Sequence, residues 1–123
     1  MTGDGAPGDL DYCYLTTTGR VTGSSHRIEI WFALHEGTVY LLSGDGDRSD
    51  WVRNVMVSPQ VVLEVGAQRH LAKARLVTAP EEDALARSLL VDKYTSRDPD
   101  DLTSWGRTAL PVAIDLPGQR EPA

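Results

Sequence analysis

The sequence holds one cysteine, Cys13, which excludes an intrachain disulfide and a cysteine-based zinc site. A lone thiol fits a reducing cytoplasmic setting, and Cys13 sits in a strand pattern where a structural role is expected. The three histidines, His26, His35 and His70, stand at no HxxxH or HExxH spacing, so no metal site is expected. Cations are scarce as well: 12 Lys and Arg against 18 Asp and Glu give a formal charge of −6. Nucleic-acid binding needs a clustered cationic surface, and this balance argues against it. No run of about 18 apolar residues occurs, which excludes a helical membrane span. No basic segment leads into an apolar stretch at the start, so residues 1–10 are expected to form a flexible Gly- and Asp-rich arm, not a signal peptide.

What is present is ordinary for one globular domain with one core: 41% hydrophobic and 24% charged residues over 123 positions. That domain is expected over 11–116, with a tail over 117–123. Tyr12, Tyr14 and Thr16 share one parity in the segment 11–18, a β pattern. Residues 19–25 hold glycines and serines and make a loop. From His26 to Leu34, Ile28, Ile30, Phe32 and Leu34 alternate with Arg27, Glu29 and Trp31. Period two predicts a strand with one face in the core. A tight turn at Glu36-Gly37 joins it to a strand over 38–43, making a hairpin. After the break at 44–48, Ser49 or Asp50 caps a helix that Pro59 limits to about two turns. Strands follow over 61–65 and 68–77. Thr78-Ala79-Pro80 then opens a helix with Leu85, Leu89 and Tyr94 near one face, and a last strand spans 110–116. The fold class expected is mainly β with two or three helices and about six antiparallel strands. Closure into a small barrel would remove most exposed edges.

Two segments carry candidate chemistry. Arg20 and Arg27 flank a Gly/Ser loop, and guanidinium forks suit phosphate or carboxylate; a solvated hairpin with ordinary surface arginines is the plainer alternative. The stretch Ser43 to Trp51 runs from a strand through a glycine loop into a helix start, where backbone N–H groups can hold an anion. Gly44 and Gly46 would permit close approach, while Asp45, Asp47 and Asp50 oppose an anion unless they turn away. A calcium loop counted from Asp45 fails, because Met56 stands where a bidentate Glu is required. Trp31 lies on the parity opposite the aliphatic face and can stack on a planar ligand or fill a dimer interface; core packing is the plainer fate of Trp51. No catalytic triad stands out, so any reactive centre is expected to come from a bound organic cofactor.

Taken together, Leu15-Thr16-Thr17-Thr18-Gly19-Arg20, Gly23, Arg27, Ile28-Glu29-Ile30-Trp31-Phe32, Tyr40-Leu41-Leu42-Ser43-Gly44, Asp50-Trp51-Val52-Arg53-Asn54 and Ser58-Pro59 resemble the deazaflavin-dependent nitroreductase family. That family is a branch of the flavin- and deazaflavin-binding split-barrel oxidoreductases, common in actinobacteria. The resemblance covers about residues 14–77. It implies a split β-barrel with reduced deazaflavin coenzyme F-420 as hydride donor, and a quinone, nitroaromatic or enone as acceptor. By the same resemblance Arg20 and Arg27 hold the anionic tail. Ser43, Gly44 and Gly46 border the ring and phosphate, Trp51 and Asn54 line the same pocket, and Trp31 and Phe32 shape the barrel near the ring. Ser43 is the candidate proton donor or orienting group, and Tyr94 a candidate pocket wall. Val21 follows Arg20 where the family often has a second cation, and Ser24-Ser25-His26 lacks its usual proline. Two alternatives stay open: an FMN-binding reductase on the same barrel, and a non-enzymatic carrier with Trp31 and Trp105 as walls. A homodimer is expected, to cover Trp31 and the sheet edges.

Overall fold

The computed structural model describes residues 7–97 and 101–117; most of the expected arm and all but one residue of the expected tail lie outside them. Seven strands form one antiparallel sheet: β1 (Cys13–Thr18), β2 (Ser25–Ile30), β3 (Ala33–His35), β4 (Thr38–Ser43), β5 (Gln60–Val65), β6 (Gln68–Leu76) and β7 (Leu110–Asp115). Three helices accompany them: α1 (Asp50–Val57), α2 (Pro80–Thr95) and α3 (Thr103–Thr108). Residues 7–9 of the expected arm form a 3-10 turn, and Gly8 lies against Leu34.

The strand order β2-β1-β5-β6-β7-β4-β3 explains the shape. The two edge strands, β2 and β3, are separated in sequence only by Trp31 and Phe32. The three residue steps from Ile30 to Ala33 reach at most about 11 Å, so the sheet must curl until its edges meet. No ladder joins β2 to β3 among the described residues, and the barrel stays unlaced along that seam. The segment 26–34 is therefore not the single strand expected. Its first part pairs with β1 (Cys13↔Ile30) and its last part with β4 (Ala33↔Tyr40). The expected hairpin survives in β3–β4, whose turn residues Glu36 (φ 49) and Gly37 (φ 80) both take positive φ, as a type I′ turn requires.

At the seam, Phe32 finds its backbone partners on α2. Its N–H donates to the Tyr94 hydroxyl at 3.0 Å, and its carbonyl accepts from Lys93 Nζ at 2.8 Å. The Tyr94 hydroxyl in turn reaches the Asp11 carbonyl at 2.8 Å. Inside the curl lie Leu15, Leu41, Leu63, Val112 and Ile114, inward-facing residues of four strands. A second cluster packs α2 on the outer face: Ala86, Leu90 and Tyr94, at i, i+4 and i+8, bury against Tyr40, Leu42 and Ala113. Leu85 and Leu89 flank that stripe half-buried, one position off the expected face. Arg75 on β6 completes the attachment. It forks onto Glu82 at 2.8 Å and Asp115 at 2.9 Å, while the Tyr40 hydroxyl donates to Glu82.

Candidate functional site

The bend between β1 and β2 closes on itself: the Gly19 N–H donates to the Ser24 carbonyl at 2.7 Å and the Gly23 N–H to the Gly19 carbonyl at 2.9 Å. Gly23 supplies the positive φ of 80° that the bend needs. Gly19 leaves room for the His26 ring, since a Cβ there would sit 2.7 Å from His26 Nε2 and make the imidazole move aside. Closed this way, the bend lays Arg20 on α1. The Asn54 Oδ1 accepts from the Arg20 backbone N–H at 3.1 Å and from its Nη1 at 2.9 Å. The Arg20 Nη2 lies 3.3 Å from the Asp50 carboxylate. Asn54 is buried and donates its amide to Thr17 on β1 at 3.1 Å. One side chain thus ties the helix, the strand and the bend together, with its main donor and acceptor positions used. Trp51, Thr22, His26 and Ile28 complete a recess of about 460 Å³ around Arg20.

The glycine loop is held from within. Ser43 is buried, and its hydroxyl donates to the Gly46 carbonyl at 2.8 Å and pairs with the Ser49 hydroxyl. Ser49 occupies the N-cap position of α1, yet its hydroxyl turns to Gly46 rather than capping the helix. Gly46 takes a φ of 63°, and a Cβ on Gly44 would lie 3.6 Å from Trp105, in ordinary contact.

Trp105, on α3, walls a second recess of about 540 Å³ with Trp31, Leu42, Leu102, Ile30 and Tyr12. Trp31 stacks flat on Tyr94 at 4.1 Å between ring centroids and meets Trp105 edge-on at 5.5 Å. Trp31 therefore has a rigid backing within the chain itself, where a dimer interface was one expected cover. The two recesses follow one strand: Ile28 lines the first and Ile30 the second, about 7 Å further along β2.

The structure brings Arg20, Trp51 and Asn54 together, sets Trp31 in the neighbouring recess, and places Gly44 against Trp105. Three expected assignments change. Arg27 is not beside Arg20: its Nε donates to Glu64 at 2.9 Å and its guanidinium lies 4.2 Å over the Tyr14 ring. The pleat is the reason, since His26 and Ile28 face the recess and the residue between them must face away. Phe32 is fully buried in the core, under the Lys93 ammonium at 3.8 Å, and does not wall the site. The Ser43 hydroxyl is engaged within its own loop, by Gly46 and Ser49, and lines neither recess. Thr17, Thr22, His26 and Leu102 join the recesses without having been expected there. The parity that carries Ile28 inward also carries His26 and was the available signal.

Electrostatically, burial depresses the Lys93 ammonium to about 8, with Arg97 adding to it, and lifts the Tyr94 phenol to about 12. At the rim of the second recess Asp101 is held below the usual carboxylate range by the Thr103 hydroxyl and N–H. Among the described residues no cluster of His, Cys, Asp or Glu suits a metal ion, and no helix is long and apolar enough to cross a membrane. What the arrangement offers is a guanidinium end, which can hold an anion, and an aromatic end, which can stack a planar group, along one strand.

Comparison with solved structures places the chain on a known fold. It aligns with an F420-H2 dependent reductase, FDR-A, at a TM-score of 0.69 and 18% identity, covering 85% of this chain and 93% of that one. A structure described as a domain-swapped dimer aligns at a TM-score of 0.71 and 19% identity, covering 86% and 81%. A FAD-binding protein from Mesorhizobium loti aligns at 0.60 and 14% identity, covering 89% and 83%. At these identities the likeness concerns the fold, the split barrel expected from the sequence. No curated protein matches the sequence. The family model for F420H(2)-dependent quinone reductase, however, matches residues 3–117. With nearly its whole length matched, the chain belongs to the F420H(2)-dependent quinone reductase family.

Proposed function

We propose that this oxidoreductase passes a hydride from reduced coenzyme F-420 to a planar, electron-poor acceptor, a quinone, nitroaromatic or activated enone. The observation that carries the reading is the meeting of the β1–β2 bend with α1, where Arg20 rests on Asn54 and Asp50 beside Trp51 and the aromatic recess follows along β2. The residues fit the cofactor's two ends. Arg20 and Thr22 would hold the phosphate end, and Trp51 with Ile28 would border the ring. Bound there, the deazaflavin supplies the hydride; the chain supplies position and electrostatics.

Each side chain then has a stated task. Asn54 fixes the Arg20 fork before any ligand arrives, so less order is lost on binding. The Trp31–Tyr94 stack and the edge of Trp105 give the acceptor a wall that does not yield. Orientation of the reacting atoms to within about 3–3.5 Å is the main contribution such walls can make. Ser43 keeps the glycine loop folded against α1. The proton that balances hydride addition comes from Tyr12, which lines the second recess, or from water.

The test is anaerobic oxidation of reduced F-420 by a soluble quinone and by a nitroaromatic. Turnover is expected, with Trp105→Ala raising the acceptor KM far more than the KM for F-420. Turnover with reduced FMN but not with F-420 would assign the alternative flavin reading. No turnover with either donor, together with retention of a planar ligand, would make the barrel a carrier.

A further inference from the structure

Arg20 is the guanidinium that lines the first recess, and it is already engaged. Its Nη1 donates to Asn54 Oδ1 and reaches the Asp50 carbonyl at 3.5 Å, while its Nη2 faces the Asp50 carboxylate at 3.3 Å. The Asp50 side chain is 86% exposed, so its carboxylate stands at the mouth with solvent on its far side. The bend adds no second cation, because Val21, 87% exposed, follows Arg20. The glycine loop that leads into α1 carries Asp45, Asp47 and one cation, Arg48, all exposed. Arg53, the next cation on α1, turns its Nε to the Asp47 carbonyl at 3.2 Å.

An anion entering this recess must share Arg20 with Asp50 or displace it, and every further negative charge on the ligand is repelled by the same carboxylate. Coenzyme F-420 ends in a phosphate followed by a tail of one or more glutamates, so its charge grows with tail length. Resting on the function proposed above, we infer that Asp50 is a specificity-determining residue: it holds Arg20 and turns the recess toward F-420 forms with short, weakly charged tails. An exposed ion pair contributes little to folding, so the Arg20–Asp50 contact exchanges readily for a ligand anion. The discrimination is correspondingly modest and screened by salt, with a Debye length of about 10 Å at 0.1 M.

The experiment measures dissociation constants by quenching of tryptophan fluorescence, with Trp51 reporting from the recess. The ligands are the tail-free deazaflavin, the monoglutamate form and a long-tailed form, at low and high salt. The wild type, Asp50→Asn, Asp50→Glu and Asp47→Asn are compared, each matched for thermal midpoint. The wild type binds the monoglutamate form at least as tightly as the long-tailed one. Asp50→Asn tightens the long-tailed form by about five-fold at low salt, leaves the tail-free form unchanged, and loses its gain at high salt. Asp50→Glu keeps the wild-type order, and Asp47→Asn, which leaves Arg20 paired, changes little. A wild type that prefers long tails with no response to Asp50→Asn overturns the inference alone. So does an equal gain from Asp47→Asn, or an equal gain for the tail-free form. Absence of binding by every F-420 form overturns the inference and the function together.

Discussion

Lys93, Cys13, Tyr40 and Tyr94 make the stability of this chain depend on alkaline pH in two opposing ways. Burial lowers the Lys93 ammonium from 10.5 to about 8, so between those values the unfolded chain binds the extra proton and stability rises with pH. Burial raises the Cys13 thiol from 9.0 to about 12 and the Tyr94 and Tyr40 phenols from 10.0 to about 12. Their stabilisation is complete below the unfolded values and is lost as pH climbs toward the folded ones. Denaturant midpoints are expected to rise between about pH 8 and 9, then fall above about pH 10. Lys93→Met flattens the rise and leaves the fall. A steady decline from pH 8 in both proteins would show that Lys93 is not the source. Arg27 belongs to the same scale. Its outward direction was already implied by the alternation of Ile28 and Ile30, yet the family motif pairs it with Arg20. The structure follows the pleat, with Glu64 and the Tyr14 ring holding the guanidinium.

Among the elements, α2 decides how the unlaced seam is sealed. Tyr94 supplies both a hydroxyl for the Phe32 N–H and a ring for Trp31. Tyr94→Phe keeps the ring and removes the hydroxyl, leaving a buried N–H without its partner. The expected loss is about 1–3 kcal/mol in chemical denaturation, with tryptophan emission little changed because the stack persists. An unchanged midpoint would mean that the seam is sealed by other contacts. The seam itself could not be seen in the sequence. The alternation of Ile28, Ile30, Phe32 and Leu34 runs straight through it, while the pairing partner switches from β1 to β4 at Trp31-Phe32. Local periodicity reports which face is buried and carries no information about which strand lies alongside. The helix α3 was hidden for another reason. Six residues with Trp105 as their main apolar group show no helical period, and its start depends on Asp101 accepting from the Thr103 N–H and hydroxyl.

At the scale of the molecule, closure and charge together place the site. The two-residue link at the seam curls the sheet, and the curl leaves β2 as an edge along which both recesses lie. The bend and the helix start were legible as separate anion-binding candidates. Only the family resemblance set Arg20, Trp51 and Asn54 around one pocket; the contacts that join them run through Asn54, which hydrophobic periodicity does not distinguish from an ordinary helical polar residue. An overall charge of −6 around one engaged guanidinium makes binding depend on Arg20 far more than on any general attraction. The most direct measurement is a titration with F-420 followed by tryptophan fluorescence, comparing the wild type with Arg20→Ala and Arg27→Ala. Saturable quenching is expected, weakened about ten-fold or more by Arg20→Ala, as the loss of a charge-assisted bond implies, and unaffected by Arg27→Ala. Equal weakening by both substitutions, or quenching by FMN alone, would contradict the account.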